Sequence, residues 1–119
     1  MALIQNNINQ MGKFYYENTT PSDLISKEIS NSEKCPLVLV FTADWVSSST
    51  IVDIVSQKIV DDREDISLIT IDADNNKELF SKYRIRKVPS CIIIKNQEIV
   101  NRIEGTFSKK EVLDSIDKD

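Results

Sequence analysis

Histidine is absent from this chain of 119 residues. Without imidazole there is no Ser-His-Asp or Cys-His catalysis and no ordinary zinc site. Two cysteines, Cys35 and Cys91, are too few for a disulfide scaffold. Glycine occurs twice, so no Gly-rich phosphate loop exists. Basic residues do not dominate either: 15 Lys and Arg stand against 19 Asp and Glu, for a net charge of −4. That balance argues against nucleic acid or an anionic membrane as the main partner. No apolar run is long enough to span a bilayer, and residues 1–12 carry no basic leader segment. The expectation is a cytoplasmic protein with a flexible N-terminal arm over 1–12 and one domain over 13–119.

What is present centres on Leu37–Thr50. Leu37 to Phe41 is a continuous apolar run, the signature of a strand buried on both faces. It breaks at Thr42-Ala43-Asp44-Trp45 and passes into the hydroxyl-rich Ser47-Ser48-Ser49-Thr50, a helix start. Strand ends that feed helix N-termini are where α/β proteins place their chemistry.

Upstream, Lys13 to Glu17 reads as an aromatic strand. A helix follows, with Thr20 as N-cap and Pro21 in the first turn. Asn18-Thr19-Thr20 matches a glycosylation sequon, which is a chance match in a protein without a leader. Downstream, Ser47 to Val60 reads as a helix, with Ile51, Val52, Ile54, Val55, Ile59 and Val60 burying one broad face. Ile66 to Asp72 is a strand and Asn75 to Tyr83 a short helix. Ser90 to Ile94 and Glu98 to Glu104 form a hairpin about Asn96-Gln97, although Gln is a poorer second turn residue than Gly. Ser108 to Glu111 is a capping box that opens the last helix. The order βαβαβαββα predicts an α/β fold, a mixed sheet with helices on both faces.

Certain pieces together, in order and spacing, resemble the thioredoxin family from Phe14 to the C-terminus. They are Phe41-Thr42-Ala43-Asp44-Trp45, the stretch from Tyr83 to Ser90, the hairpin Ile94 to Glu98, and Glu104-Gly105. The resemblance implies a thioredoxin fold with Val88-Pro89 as a cis peptide beside Val46–Ser49. It also locates a departure. Where thioredoxins carry Trp-Cys-x-x-Cys, this chain has Trp45-Val46-Ser47-Ser48-Ser49, so the two redox cysteines fall on Val46 and Ser49. Disulfide exchange needs an attacking thiolate and a resolving thiol. Valine offers no nucleophile, and Ser49 has no histidine to act as its base. The family's buried aspartate and its lysine partner fall on Val40 and Thr70. The implied function is a redox-inactive member of the family, with no disulfide oxidoreductase activity and no cofactor. It would bind a protein or extended peptide noncovalently in the former substrate groove, formed by Trp45, Val46, Ser47, Val88, Pro89 and Gly105.

Two other functions stay open on the residues alone. Cys91 follows Pro89 and Ser90, so it is a candidate reactive thiol for an enzyme or redox sensor, although a cysteine opening an apolar strand is usually a buried hydrophobe. A homodimer that covers the groove edge is the third reading. Cys35 and Cys91 are expected to lie far beyond the roughly 7 Å that a disulfide spans, with Cys35 exposed enough to oxidise between molecules. Ser47–Thr50 reads as helix capping or as an anion site. Asp72 to Asn76 begins like a calcium loop but lacks its glycine and final glutamate, so it reads as a helix cap with no metal.

Overall fold

The computed structural model describes residues 14–16 and 22–118. The N-terminal arm, the proposed cap Thr20-Pro21 and the sequon lie outside the described residues. The described residues include five strands, β1 (Phe14–Tyr16), β2 (Leu37–Thr42), β3 (Ser67–Asp72), β4 (Ser90–Lys95) and β5 (Glu98–Glu104), with a helix after each except β4, which turns directly into β5. The helices are α1 (Ser22–Ser30), α2 (Ser49–Asp62), α3 (Lys77–Lys82) and α4 (Lys109–Asp117), and the element order agrees with the sequence pattern. The sheet order is β1-β3-β2-β4-β5. β1 and β2 run parallel to β3, whereas β4 is antiparallel to both β2 and β5.

Every residue of β2 and β3 is buried, which explains why β2 reads as an unbroken apolar run rather than an alternating one. Its side chains still alternate between two cores. Leu37, Leu39 and Phe41 join Ile25, Ile69, Ile71, Leu79 and Tyr83 on one face. Val38 and Val40 join Val52, Ile59, Leu68, Cys91, Val112 and Ile116 on the other. Helices α1 and α3 thus cover one face, and α2 and α4 the other. Phe41 meets Phe80 edge-to-face at 5.1 Å and Tyr83 at 5.8 Å, so aromatic packing supports the end of β2 where the site lies.

Three expectations need correction. Ile51 and Ile54 are 55% and 53% exposed; the buried face of α2 is Ser49, Val52, Ser56 and Ile59. That spacing of three, four and three residues is a helical stripe, but two of its members are serines, so apolar identity misplaced the face. Cys35 is buried rather than exposed. Ser48 stands at the N-cap of α2 without a side-chain cap bond. The turns before α2 already bond internally, Ser49 N–H to Val46 O at 3.0 Å and Thr50 N–H to Ser47 O at 3.2 Å, so hydroxyl capping is not required there.

Other local readings hold. Ser108 and Glu111 make the capping box of α4. Asp72 accepts from the Asp74 N–H and caps the 3-10 turn Ala73–Asn75. The hairpin residues Asn96 and Gln97 both take positive φ, 54° and 67°. The Gln97 N–H donates to Ser32 Oγ at 2.6 Å and its Nε2 to Ser30 O at 3.3 Å, so docking on the end of α1 offsets the missing glycine.

Candidate functional site

The site forms where β2 ends. Ser90 of β4 pairs with Phe41, which brings the preceding Val88-Pro89 level with the Thr42–Trp45 segment. The Val88–Pro89 peptide is cis. Pro89 is buried, and its carbonyl accepts from the Gly105 N–H at 2.8 Å. Gly105 has φ +89°, a region that side chains other than glycine's enter at a cost. This pair fixes the Val88-Pro89 corner against the end of β5. Val88 itself exchanges no backbone hydrogen bond with another described residue.

Opposite lies the loop from Ala43 to Ser49. Ser49, onto which the resemblance places the resolving cysteine, is 7% exposed. Its hydroxyl donates to Ala43 O at 3.0 Å and accepts from the Ala43 N–H at 3.3 Å. A single side chain thus closes the loop on both polar groups of one residue. Val46 is half-buried and Ser47 exposed. Trp45 is 67% exposed, and its Nε1 donates to Asp74 Oδ1 at 3.3 Å.

A cleft of about 390 Å³ runs from Trp45 past Asp74, Phe80 and Ile85 to Arg86 and Val88. Of the groove residues expected from sequence, Trp45 and Val88 line this cleft. Val46 and Ser47 sit in the adjacent turn, and Pro89 and Gly105 act behind it as scaffold. The sequence reading missed Asp74, Phe80, Ile85 and Arg86. Phe80 and Ile85 resemble ordinary core positions, and nothing local to Asp74 announces the indole above it.

The two positions onto which the resemblance places the family's aspartate and lysine are neighbours: Val40 pairs directly with Thr70 across β2 and β3, and with Cys91 across β4. Burial pushes the Cys91 thiol up to about 12, so it stays protonated, and it is sealed within the core. Burial, then the carboxylates of Asp44 and Asp74, raise the Asp72 carboxyl above its ordinary value. Among the described residues no group of His, Cys, Asp or Glu is arranged to hold a metal ion. No described helix is long and apolar enough to cross a membrane.

Comparison with known proteins places these features in a family. The thioredoxin family model matches residues 18–118. A thioredoxin of Chlorobaculum thiosulfatiphilum is 30% identical over 105 residues, covering 87% of this chain and 94% of that protein. Thioredoxin 2 of Chlorobaculum tepidum is 29% identical over the same shares of the two chains. The crystal structure of thioredoxin from Trypanosoma brucei brucei superposes with a TM-score of 0.77 at 23% identity, over 98% of this chain and 100% of that one; at that identity it speaks for the fold.

Proposed function

Because the chain belongs to the thioredoxin family yet has valine and serine where the resemblance puts the two redox cysteines, we propose that it is a redox-inactive member that binds extended peptide. Its groove works noncovalently, through Trp45 and the backbone of Val88. The observation that carries this reading is the cleft itself. A solvent-exposed indole shares the cleft wall with Val88 and the apolar side chains of Phe80 and Ile85, and both thiols of the chain are buried.

The chemistry follows from the parts. Val88 keeps its backbone N–H and C=O open beside a strand end, as an incoming strand requires. Trp45 offers large rigid area at the rim, the residue type most often found at binding hot spots. Its bond to Asp74 holds the indole across the cleft mouth. Val46 supplies an apolar contact where the resemblance places a nucleophile, so a bound peptide is released without reduction. Cys91 as a relocated nucleophile finds no support in a buried thiol of raised pKa.

The test pairs two measurements. In a turbidity assay of insulin disulfide reduction by dithiothreitol, the wild-type chain should give the rate of reductant alone. Acceleration above that rate would refute redox inactivity. In affinity capture under reducing conditions, wild type and Trp45→Ala, each verified as folded by circular dichroism, should differ in what they retain. Identical retained sets would show that the groove is not the working surface.

A further inference from the structure

Three of the four arginines in this acidic chain converge on one spot. Arg84, Arg86 and Arg102 line a shallow pocket of about 320 Å³, with Glu104 as the other described residue of its wall. Glu104 approaches Arg86 at 3.9 Å, the outer limit of an ion pair, and one carboxylate cannot balance three guanidinium groups. A protein with net charge −4 has acidic residues in excess, yet among the described residues Glu104 is the one carboxylate that lines this pocket.

The backbone adds an independent sign. Helix α3 ends in a Schellman motif: the Arg84 N–H donates to Ser81 O at 3.0 Å and the Ile85 N–H to Phe80 O at 2.9 Å. The residue that turns left-handed in this motif is ordinarily glycine; here it is Arg84, at φ +56°. The two other non-glycine residues with positive φ among the described residues, Asn96 and Gln97, are compensated by hydrogen bonds to Ser32 and Ser30. No side-chain bond of Arg84 to a described residue compensates it. Its carbonyl instead accepts from Arg102 Nη1 at 3.4 Å, which draws a second positive charge to the strained residue. The left-handed turn at Arg84 caps α3, but glycine would fill that cap at lower cost, so the cap alone does not account for a guanidinium beside Arg86 and Arg102.

We propose that Arg84, Arg86 and Arg102 form a carboxylate-receiving subsite that selects acidic side chains on the peptide held in the Trp45–Val88 cleft. The proposal rests on the peptide-groove reading. Arg86 lines both the cleft and the arginine pocket, so a peptide leaving Val88 passes directly to the guanidinium groups. Lys87, beside Gly105, and Lys77, on the cleft wall, extend the positive rim. Asp74, the acidic residue of the cleft wall, is occupied by the Trp45 indole. A planar guanidinium donates two parallel N–H bonds to a carboxylate, and three of them around one pocket favour paired acidic residues over a single charge. Being exposed, the subsite should lose affinity as salt rises.

The test is selection from a random dodecapeptide library displayed on phage, followed by fluorescence anisotropy on a selected peptide and its counterpart with every Asp and Glu changed to Asn and Gln. Selected peptides should be rich in acidic residues, and the amide counterpart should bind about tenfold more weakly. Arg84→Gly and Arg102→Gln should weaken the acidic peptide by a similar factor and leave the amide peptide unaffected. Arg84→Gly should keep or raise the melting temperature, which separates lost recognition from lost folding. Peptides selected without acidic enrichment, or arginine variants that bind as wild type does, would overturn the subsite; retained sensitivity to Trp45→Ala would then leave the groove standing. Acidic peptides that need the arginines but ignore Trp45→Ala would overturn the proposal by refuting the groove it rests on. Displacement of the peptide by inorganic phosphate at equal concentration would assign the pocket to a free anion and overturn it. If no peptide is selected, both readings fall.

Discussion

Ser49 shows how one residue can be spent differently on the same scaffold. It is buried and makes both its hydrogen bonds to Ala43, so it locks the loop that presents Trp45. Ser49→Ala should cost about 1 kcal/mol, because the buried Ala43 N–H loses the Ser49 hydroxyl while Ala43 O keeps the Val46 N–H at 3.1 Å. Urea denaturation would measure it, and a change under a few tenths of a kcal/mol would mean water replaces the hydroxyl freely. Cys91 is the opposite case, a polar-capable side chain used as packing. With its pKa pushed up to about 12 by burial, its thiolate fraction at neutral pH is negligible. Native protein should therefore resist iodoacetamide at Cys91 and, through burial, at Cys35, and label at both once unfolded. Rapid labelling of Cys91 in the native state would revive the thiol-enzyme reading.

Among the elements, α2 carries the sharpest lesson. Its buried stripe contains Ser49 and Ser56, while Ile51 and Ile54 face solvent. The Ser56 hydroxyl has no hydrogen-bond partner among the described residues. Ser56→Ala removes an unsatisfied buried group and improves helix propensity, so it should stabilise the fold by about 1 kcal/mol. Ile54→Gln should change stability by less than about 0.5 kcal/mol, as exposed substitutions usually do. Val52→Ala, in the same helix, should cost about 2 kcal/mol because it opens a cavity in the core. Thermal melts of the three variants give the ranking, and a costly Ile54→Gln would show that its face is covered in solution. The end of α3 teaches the same point. Its Schellman bonds form with an arginine in the glycine position, so the usual preference for glycine at a helix end does not by itself decide the residue there.

For the molecule as a whole, charge acts with both signs. Arg63, at the end of α2, contacts Asp65 at 2.9 Å and Asp117 of α4 at 3.1 Å, tying two helix ends together. Its guanidinium holds the Asp65 carboxyl below the ordinary value. Stability from that depressed group is present above the unfolded value and is lost as pH falls through the folded one. Asp72 runs the other way. Its raised pKa means the ionised form costs stability at neutral pH, a cost relieved as pH falls through the folded value. Asp72→Asn keeps an oxygen acceptor for the Asp74 N–H, so it should stabilise the protein near neutral pH. That gain should shrink on acidification and vanish below the ordinary aspartate value of about 4. Urea midpoints followed across pH would check it, and a gain constant with pH would exclude the ionisation account.

The sequence by itself determined the strand and helix order, the central position of β2, the capping box at Ser108 and the absence of a Cys-x-x-Cys pair. These are local or compositional properties, written in apolar period, turn chemistry and residue identity. Only the tertiary structure decided which face of α2 is buried, that Ser49 closes a loop rather than caps a helix, and that Asp74 holds the Trp45 indole. It also decided that Arg84 and Arg86 meet Arg102 of β5. Each of these depends on contacts between residues far apart in the chain, or on which neighbouring surface a helix finds. Burial is set by that packing, so a serine can be inside and an isoleucine outside in the same helix.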